Sequence, residues 1–423
     1  MAETTLFPYV SPVWARYTDI LAERGEGSYI YAQDGRKYLD FTTGIGVTST
    51  GHCHPKVVEA IQAQATKLIH GQANIVMHKP LLELVDELRL VVHPTLDGFF
   101  FSNSGAEAIE ASLKLARMAT GRPNVIVFQG SFHGRTVATM SLTTSKTIYR
   151  AGYQPLMAGV FVAPFPYAFR YGWDEETTGR WCLEELEFLF LTQTAPVETA
   201  AILIEPVLGE GGYVVPPRSF IQGLRRLADK HGILLILDEI QSGLGRTARW
   251  FAYEHFDVVP DIVAIAKGLA SGMPISAVCA PMELMERWPP GSHGGTFGGN
   301  AVSAAAAVAT IRAIRDENML QNAKQRSEQL MKGLAGFQRG FGSFADLRGL
   351  GLMIGCEFRD ESGEPSKELA KRIQKTCLEN GLMLLTCGPW DNTIRIIPPI
   401  NVSAQEVDEA LGIFGAALDS VAS

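Results

Sequence analysis

The feature that most constrains this chain is a series of short apolar runs that do not alternate. "GFFFSN", "NVIVFQG", "GVFVAPFP", "AAILIEPV", "GILLILDEI", "DIVAIAK" and "ISAVCA" follow one another between residues 98 and 280. A strand with one wet face alternates apolar and polar side chains, whereas a strand buried on both faces does not. Segments of helical period separate the runs. In "AEAIEASLKLARMATG", for example, Ile109, Leu113 and Ala116 fall on one face. The pattern predicts an α/β fold, a mainly parallel sheet covered by helices. Ahead of "ILLILDEI", Ser219 is expected to cap a helix with Phe220, Leu224 and Leu227 on its apolar face and Gly232 as its stop.

The character changes near Ala301. "AVSAAAAVATIRAIRDENMLQNAKQRSEQLMKGLAGF" reads as one long helix or two joined ones, and a strand–helix–strand–helix series follows it. The first 50 residues lack a long helical period. The expected division is an arm over 1–50 that joins the small domain, a large domain over 51–310 and a small domain over 311–423. With 423 residues, 46% of them hydrophobic, the chain can fill two cores. Its net charge is −8 and it has no basic stripe, which argues against a nucleic-acid partner. Six cysteines without a C-x-x-C pair read as reduced thiols of a cytoplasmic protein. "MAETTLFPYV" has no basic stretch before an apolar core, so it does not read as a signal peptide. "AVSAAAAVATI" is too short and too dotted with Ser and Thr to cross a membrane.

Three places carry chemistry. Lys267 ends the apolar run Ile262 to Ala266 and is followed by Gly268. Desolvation at such a strand tip lowers a lysine pKa and frees the amine as a nucleophile. Asp238 ends another run, where open α/β sheets hold their ligands. No His or Cys lies close enough in sequence to suggest a metal, but a protonated ring nitrogen would partner a buried carboxylate there. At "FSNSGAEA" a strand meets a helix. Ser104 and Glu107 fit a capping box, and Ser104, Gly105 and Ala106 also let backbone N–H groups approach a phosphate. A Schiff-base lysine, a carboxylate for a pyridinium nitrogen and a phosphate-binding helix start are together the parts of a pyridoxal 5'-phosphate (PLP) site. "GHCHP" has metal-ligand residue types, but Pro55 and the lack of distant partners make it a structural turn, so no metal is expected.

"LILDEIQSGLGRT" together with "FAYEHFDVVPDIVAIAKGLASGMPISAV" resembles the class III aminotransferase signature. The likeness continues in "TTGIGVTSTGHCHP", "FFSNSGAEAIEASLKLAR", "SFHGRT", "ILIEPVLGEGG", "GGTFGGNAVSAAAA" and "IRIIPPI", in the family's order over nearly the whole chain. Within the family it is most similar to the 4-aminobutyrate aminotransferases; acetylornithine and ornithine aminotransferases share most of these motifs. The resemblance implies the PLP-dependent transferase fold of type I, with a seven-stranded large domain and a small α/β domain. It makes Lys267 the PLP lysine and acid–base group. Ser104, Gly105 and Ala106 hold the phosphate, Phe132 and Ile240 cover the two ring faces, Asp238 pairs with the ring nitrogen, and Gln241 reaches the ring hydroxyl. Thr296 resembles a threonine that crosses to the phosphate of the neighbouring site. That implies a homodimer with shared active sites, or a tetramer.

For the substrate, the resemblance gives Arg395 the α-carboxylate of glutamate and Arg135 the distal carboxylate. Glu210 pairs with Arg395 when the donor has no α-carboxylate, on a backbone that Gly209 and Gly211 make mobile. Glu205 supports the pocket from behind, as does His133, and Ile45 touches the substrate. Ala248 stands where relatives carry glycine, which sets the local loop apart. The aromatic stretch Ala163 to Glu176 is expected near the substrate entrance. The implied reaction moves the terminal amino group of an ω-amino acid, foremost 4-aminobutyrate, to 2-oxoglutarate, giving a semialdehyde and glutamate. The alternatives are an acetylornithine- or ornithine-type aminotransferase and a PLP-dependent racemase on the same fold. Glu210 beside both arginines favours the transaminase.

Overall fold

In the computed structural model the seven apolar runs are the seven strands of one sheet. The structure describes residues 9–422. Residues 1–8, on which much of the signal-peptide reading rests, lie outside the described residues. Three strands precede the sheet: β1 (Ala22–Glu26), β2 (Tyr29–Ala32) and β3 (Lys37–Asp40). The runs become β4 (Gly98–Ser102), β5 (Asn124–Phe128), β6 (Val160–Ala163), β7 (Thr199–Ile204), β8 (Leu234–Asp238), β9 (Ile262–Ile265) and β10 (Ser276–Ala280). Their order is β4-β10-β9-β8-β7-β5-β6. Only β10 is reversed; it pairs antiparallel with both β4 and β9. β7 and β9 are buried along their whole length, which explains their unbroken apolar character.

Helices flank the sheet. Gly105–Thr120 starts from the expected capping box of Ser104 and Glu107 and stops at Gly121, whose φ is 68°. The helix ahead of β8 spans Arg218–His231 and begins from Pro217, not Ser219. Ser219 lies within its first turn, and its hydroxyl donates instead to Glu176 at 2.8 Å. Phe220, Leu224 and Leu227 are buried, and Gly232 ends the helix at φ 60°. The long segment after Ala301 is two helices, Ala301–Asp316 and Met319–Gly340, broken where Asn318 turns to φ 52°.

Two smaller sheets follow. β11 (Phe344–Leu350), β12 (Met353–Phe358), β14 (Leu385–Cys387) and β15 (Thr393–Ile396) form one, in the order β11-β12-β15-β14. β13 (Leu382–Met383) joins β1, β2 and β3 in the other, so residues 22–40 supply three strands of a sheet that the C-terminal segment completes. The main core takes residues of the helix Ala301–Asp316 up to Ile311, and the second core begins with Ala313 and also holds Leu39 and Phe41. Among the described residues, no helix is long and apolar enough to cross a membrane.

Candidate active site

The segments that follow β4, β5, β7, β8 and β9 leave the large sheet at the same edge, because these strands run in one direction. A cavity of about 340 Å³ opens there. This is where open α/β sheets place ligands. Ser104, Gly105 and Ala106 line it from the start of the helix after β4, and Phe132 and His133 from the turn after β5. Glu205 and Glu210 enter after β7, Asp238, Ile240 and Gln241 at and after β8, and Lys267 after β9.

Lys267 follows β9 with φ at 29°, a left-handed conformation that is strained for a side chain bearing a Cβ. Burial lowers its pKa, and the nearby carboxylates of Glu210, Asp238 and Glu205 offset only part of that. Asp238 is buried and held at both oxygens. One accepts the Ile240 N–H at 3.0 Å, and the other lies 2.8 Å from Nδ1 of His133. His133 is therefore a support of Asp238, and its own Nε2 is buried without a partner. Glu205 accepts the N–H groups of Phe132 at 2.8 Å and Gly209 at 2.9 Å. Burial, with Asp238 adding to it against the pull of His133, pushes its carboxyl up to about 7.

Arg395 on β15 is fully buried and ion-pairs with Glu210. Burial alone would raise the Glu210 pKa, but Arg395, with Lys267 and Lys146, outweighs it and holds the carboxyl below its ordinary value. Burial would likewise lower the Arg395 pKa, and Glu210 reverses that. The pair is thus charged on both sides, and Nε of Arg395 has no partner.

Four of the expected residues are outside the lining of the cavity, Arg395 among them, which meets that lining through Glu210. Arg135 is exposed beside it, with its guanidinium 5.8 Å from the Phe132 ring and 4.8 Å from the Tyr149 ring. Among the described residues no carboxylate pairs with it. Thr296 is exposed on a loop and does not reach the cavity of its own chain. Ile45 is not part of the lining; Val47, two residues on, is. Sequence reasoning missed Val47 and the segment Gly272 to Ile275, which also line the cavity. The "SGMP" turn after Lys267 was the available signal for that segment. His52 and His54 of "GHCHP" are engaged by Asp40 at 2.8 Å and Glu317 at 3.2 Å. Ala248 takes φ 64°, a conformation glycine adopts without strain.

Residues 10–418 match the family described as aminotransferase class-III. The chain belongs to the class III aminotransferases. It is 38% identical to 5-aminovalerate aminotransferase of Pseudomonas aeruginosa over 95% of its own length and 94% of that protein. It is 37% identical to 4-aminobutyrate aminotransferase of Escherichia coli, over 95% and 93% of the two chains. An amine transaminase from an uncultivated Pseudomonas species, solved in its PLP-bound form, superposes with a TM-score of 0.90 at 26% identity and covers 99% of both chains. The class III aminotransferases depend on PLP, and PLP is the cofactor of this enzyme. The cavity fits that group. It offers a helix N-terminus free of side-chain bulk for a phosphate, and a Cβ on Gly105 would lie 2.9 Å from Ile240. It also offers a fixed carboxylate, an amide oxygen of Gln241 with no partner, and an amine made less basic by burial.

Proposed function

We propose that this aminotransferase moves the terminal amino group of an ω-amino acid, foremost 4-aminobutyrate, to 2-oxoglutarate, releasing a semialdehyde and glutamate. The observation that carries the reading is the Glu210–Arg395 ion pair: Arg395 is buried, and its partner Glu210 lines the cavity that holds Lys267. One pocket must take glutamate, which has an α-carboxylate, and a donor that has none. Arg395 cannot shed its charge, so that charge must be met in both half-reactions. Glu210 meets it while the donor is bound, and the α-carboxylate of the other substrate displaces Glu210.

The cofactor would be held by Ser104, Gly105 and Ala106 at its phosphate, by Phe132 and Ile240 at its faces, and by Asp238, Gln241 and Lys267 at its polar atoms. When bound, PLP supplies an aldehyde that captures amines and a ring that spreads negative charge. Asp238, steadied by His133, would present its carboxylate to the ring nitrogen. Lys267, freed as an amine by burial, takes the proton from the substrate carbon that carries the amino group. Arg135, exposed and flanked by two aromatic rings, receives the distal carboxylate at the mouth. Thr296 completes the phosphate site of a second copy in a homodimer. The division into 1–50, 51–310 and 311–423 and a cytoplasmic setting belong to the same proposal; the change of core between Ile311 and Ala313 supports the second boundary.

Single-turnover rates test this. Glu210→Ser should slow the 4-aminobutyrate half-reaction more than the glutamate half-reaction, by a differential of roughly 1–3 kcal/mol, the cost of an unpaired buried polar group. Equal slowing would place the switch elsewhere. A panel of donors with 2-oxoglutarate as acceptor ranks 4-aminobutyrate against 5-aminovalerate, ornithine and acetylornithine, and preference for either of the last two would replace the 4-aminobutyrate assignment.

A further inference from the structure

The Glu210 segment is not the mobile backbone that its glycines suggested. The Glu210 carbonyl accepts the N–H of Gly388 at 2.9 Å, and the Gly209 carbonyl accepts that of Gly212 at 3.0 Å. A Cβ on Gly211 would lie 2.4 Å from the carbonyl oxygen of Gly130. These glycines therefore serve close packing, and the segment is pinned.

The firmest pin comes from across the molecule. Arg348 on β11 donates to the Gly212 carbonyl from Nε at 3.0 Å and from Nη2 at 2.6 Å. The same guanidinium meets Asp346 at 2.5 Å and Glu357 at 2.8 Å through Nη1, and Nη2 reaches the Tyr167 hydroxyl at 2.7 Å. Tyr167 in turn donates to Glu357. It comes from the aromatic stretch Ala163 to Glu176, which no role in the reaction has used. Gly212 sits at φ 125°, where a side chain is strained, and a Cβ there would also crowd Nη2 of Arg348 at 3.1 Å. With two carboxylates beside it, Arg348 adds little net charge to the cavity. What it supplies is a charge-assisted two-pronged hold on one carbonyl, two residues past Glu210.

We propose that Arg348, seated by Tyr167 and Glu357, is a positioning residue that fixes the backbone behind Glu210, so that Glu210 meets or leaves Arg395 by side-chain rotation alone and the pocket discriminates donors from α-carboxylate substrates. The inference rests on the reading of Glu210 as the group an α-carboxylate displaces. A slack backbone would let Glu210 drift from Arg395. Arg395 would then be easier for the second carboxylate of a dicarboxylate to capture, and harder to neutralise when a donor brings only the distal one.

The test uses the PLP-loaded enzyme with Arg348→Lys and Tyr167→Phe, and Glu210→Ser as the reference. Lysine keeps the charge that Glu357 and Asp346 need but cannot hold the Gly212 carbonyl with two N–H groups at once. Arg348→Lys should lower the ratio of the 4-aminobutyrate to the glutamate half-reaction rate by roughly tenfold, the order of one well-placed hydrogen bond. It should also tighten the calorimetric binding of glutarate, an unreactive dicarboxylate, several-fold while leaving butyrate binding unchanged. Tyr167→Phe should shift both readouts the same way by less, and it carries the test if Arg348→Lys does not fold. A shifted Glu210→Ser beside an unshifted rate ratio and glutarate affinity in these variants overturns the inference alone. Equal slowing of both half-reactions with unchanged glutarate binding overturns it too, as a merely structural role. A Glu210→Ser enzyme that shifts neither readout removes the switch reading and this inference with it.

Discussion

Lys267 pays for its place twice, in a left-handed backbone and in an ammonium taken out of water. The second term has a sign that can be worked out. Its folded pKa lies below the unfolded one, so between the two values the unfolded chain holds more protons, and stability rises with pH across that window. The penalty is complete below the folded pKa and gone above the ordinary lysine value. In the cofactor-free protein Lys267→Met should therefore raise the urea midpoint at neutral pH, while destroying transamination by roughly 10²–10⁴-fold or more. The urea midpoints of the cofactor-free parent and of Lys267→Met should then converge as the pH rises toward 10.5, the ordinary lysine value. A gap that does not change with pH would mean that the folded chain does not hold the Lys267 amine below that value. Lys267 and Asp238 were legible because each ends an apolar run, and a charge at the end of a buried strand has few structural reasons to be there.

The helix Gly105–Thr120 combines structure and chemistry in one feature. Ser104 caps it through the Glu107 N–H at 3.3 Å, and Glu107 returns the bond to the Ser104 N–H at 2.9 Å. The same end faces the cavity. Ser104→Ala should cost about 1 kcal/mol of stability without cofactor, the usual loss of an N-cap, and should also weaken PLP binding. Thermal melts of the cofactor-free protein and a PLP titration separate the two, and a change in the melt alone would confine Ser104 to capping. The sequence spoke clearly about elements of this kind. Seven non-alternating runs became seven strands; burial on both faces marks every residue of β7, β9 and β10, while the edge strands β4 and β6 keep the apolar run though partly exposed. It was silent on direction. An apolar run reads the same either way, so the reversal of β10 left no trace. It misplaced the cap before β8, since Ser219 is a good capping residue whose position Pro217 had already taken. It could not show Arg348 reaching Tyr167, 181 residues away, because no local period records such a contact. The placing of Arg395 and Glu210 came from the family resemblance alone.

At the scale of the whole molecule, one face is unfinished. Ile75 is 80% exposed, Ile69 64% and Phe297 61%. Their segments meet: the Asn300 amide donates to the Ile69 carbonyl at 2.9 Å, the rings of His70 and Phe297 lie 5.3 Å apart, and a Cβ on Gly294 would lie 3.9 Å from the amide nitrogen of Asn74, the neighbour of Ile75. Contiguous exposed apolar surface is where contacts with other molecules form. The loop that carries Phe297 also carries Thr296. Its Gly298 packs so tightly on β4 that a Cβ would lie 2.5 Å from the Phe101 carbonyl oxygen, three residues before Ser104. The loop is thus fixed beside the Ser104 end of the cavity, and Thr296 on it is exposed. In the proposed homodimer a second copy would cover this face and bring its own Thr296 to the cavity. Ile75→Asp with Phe297→Asp should then yield monomers by sedimentation, and those monomers should lose PLP far more readily than the parent. Thr296→Ala should leave the dimer intact and weaken PLP by about 1.5–3 kcal/mol, one hydrogen bond to a charged group. The two variants separate assembly from the shared contact. Monomers that hold PLP as tightly as the parent would show that each chain completes its site alone, and a Thr296→Ala dimer with unchanged affinity would confine the loop to assembly.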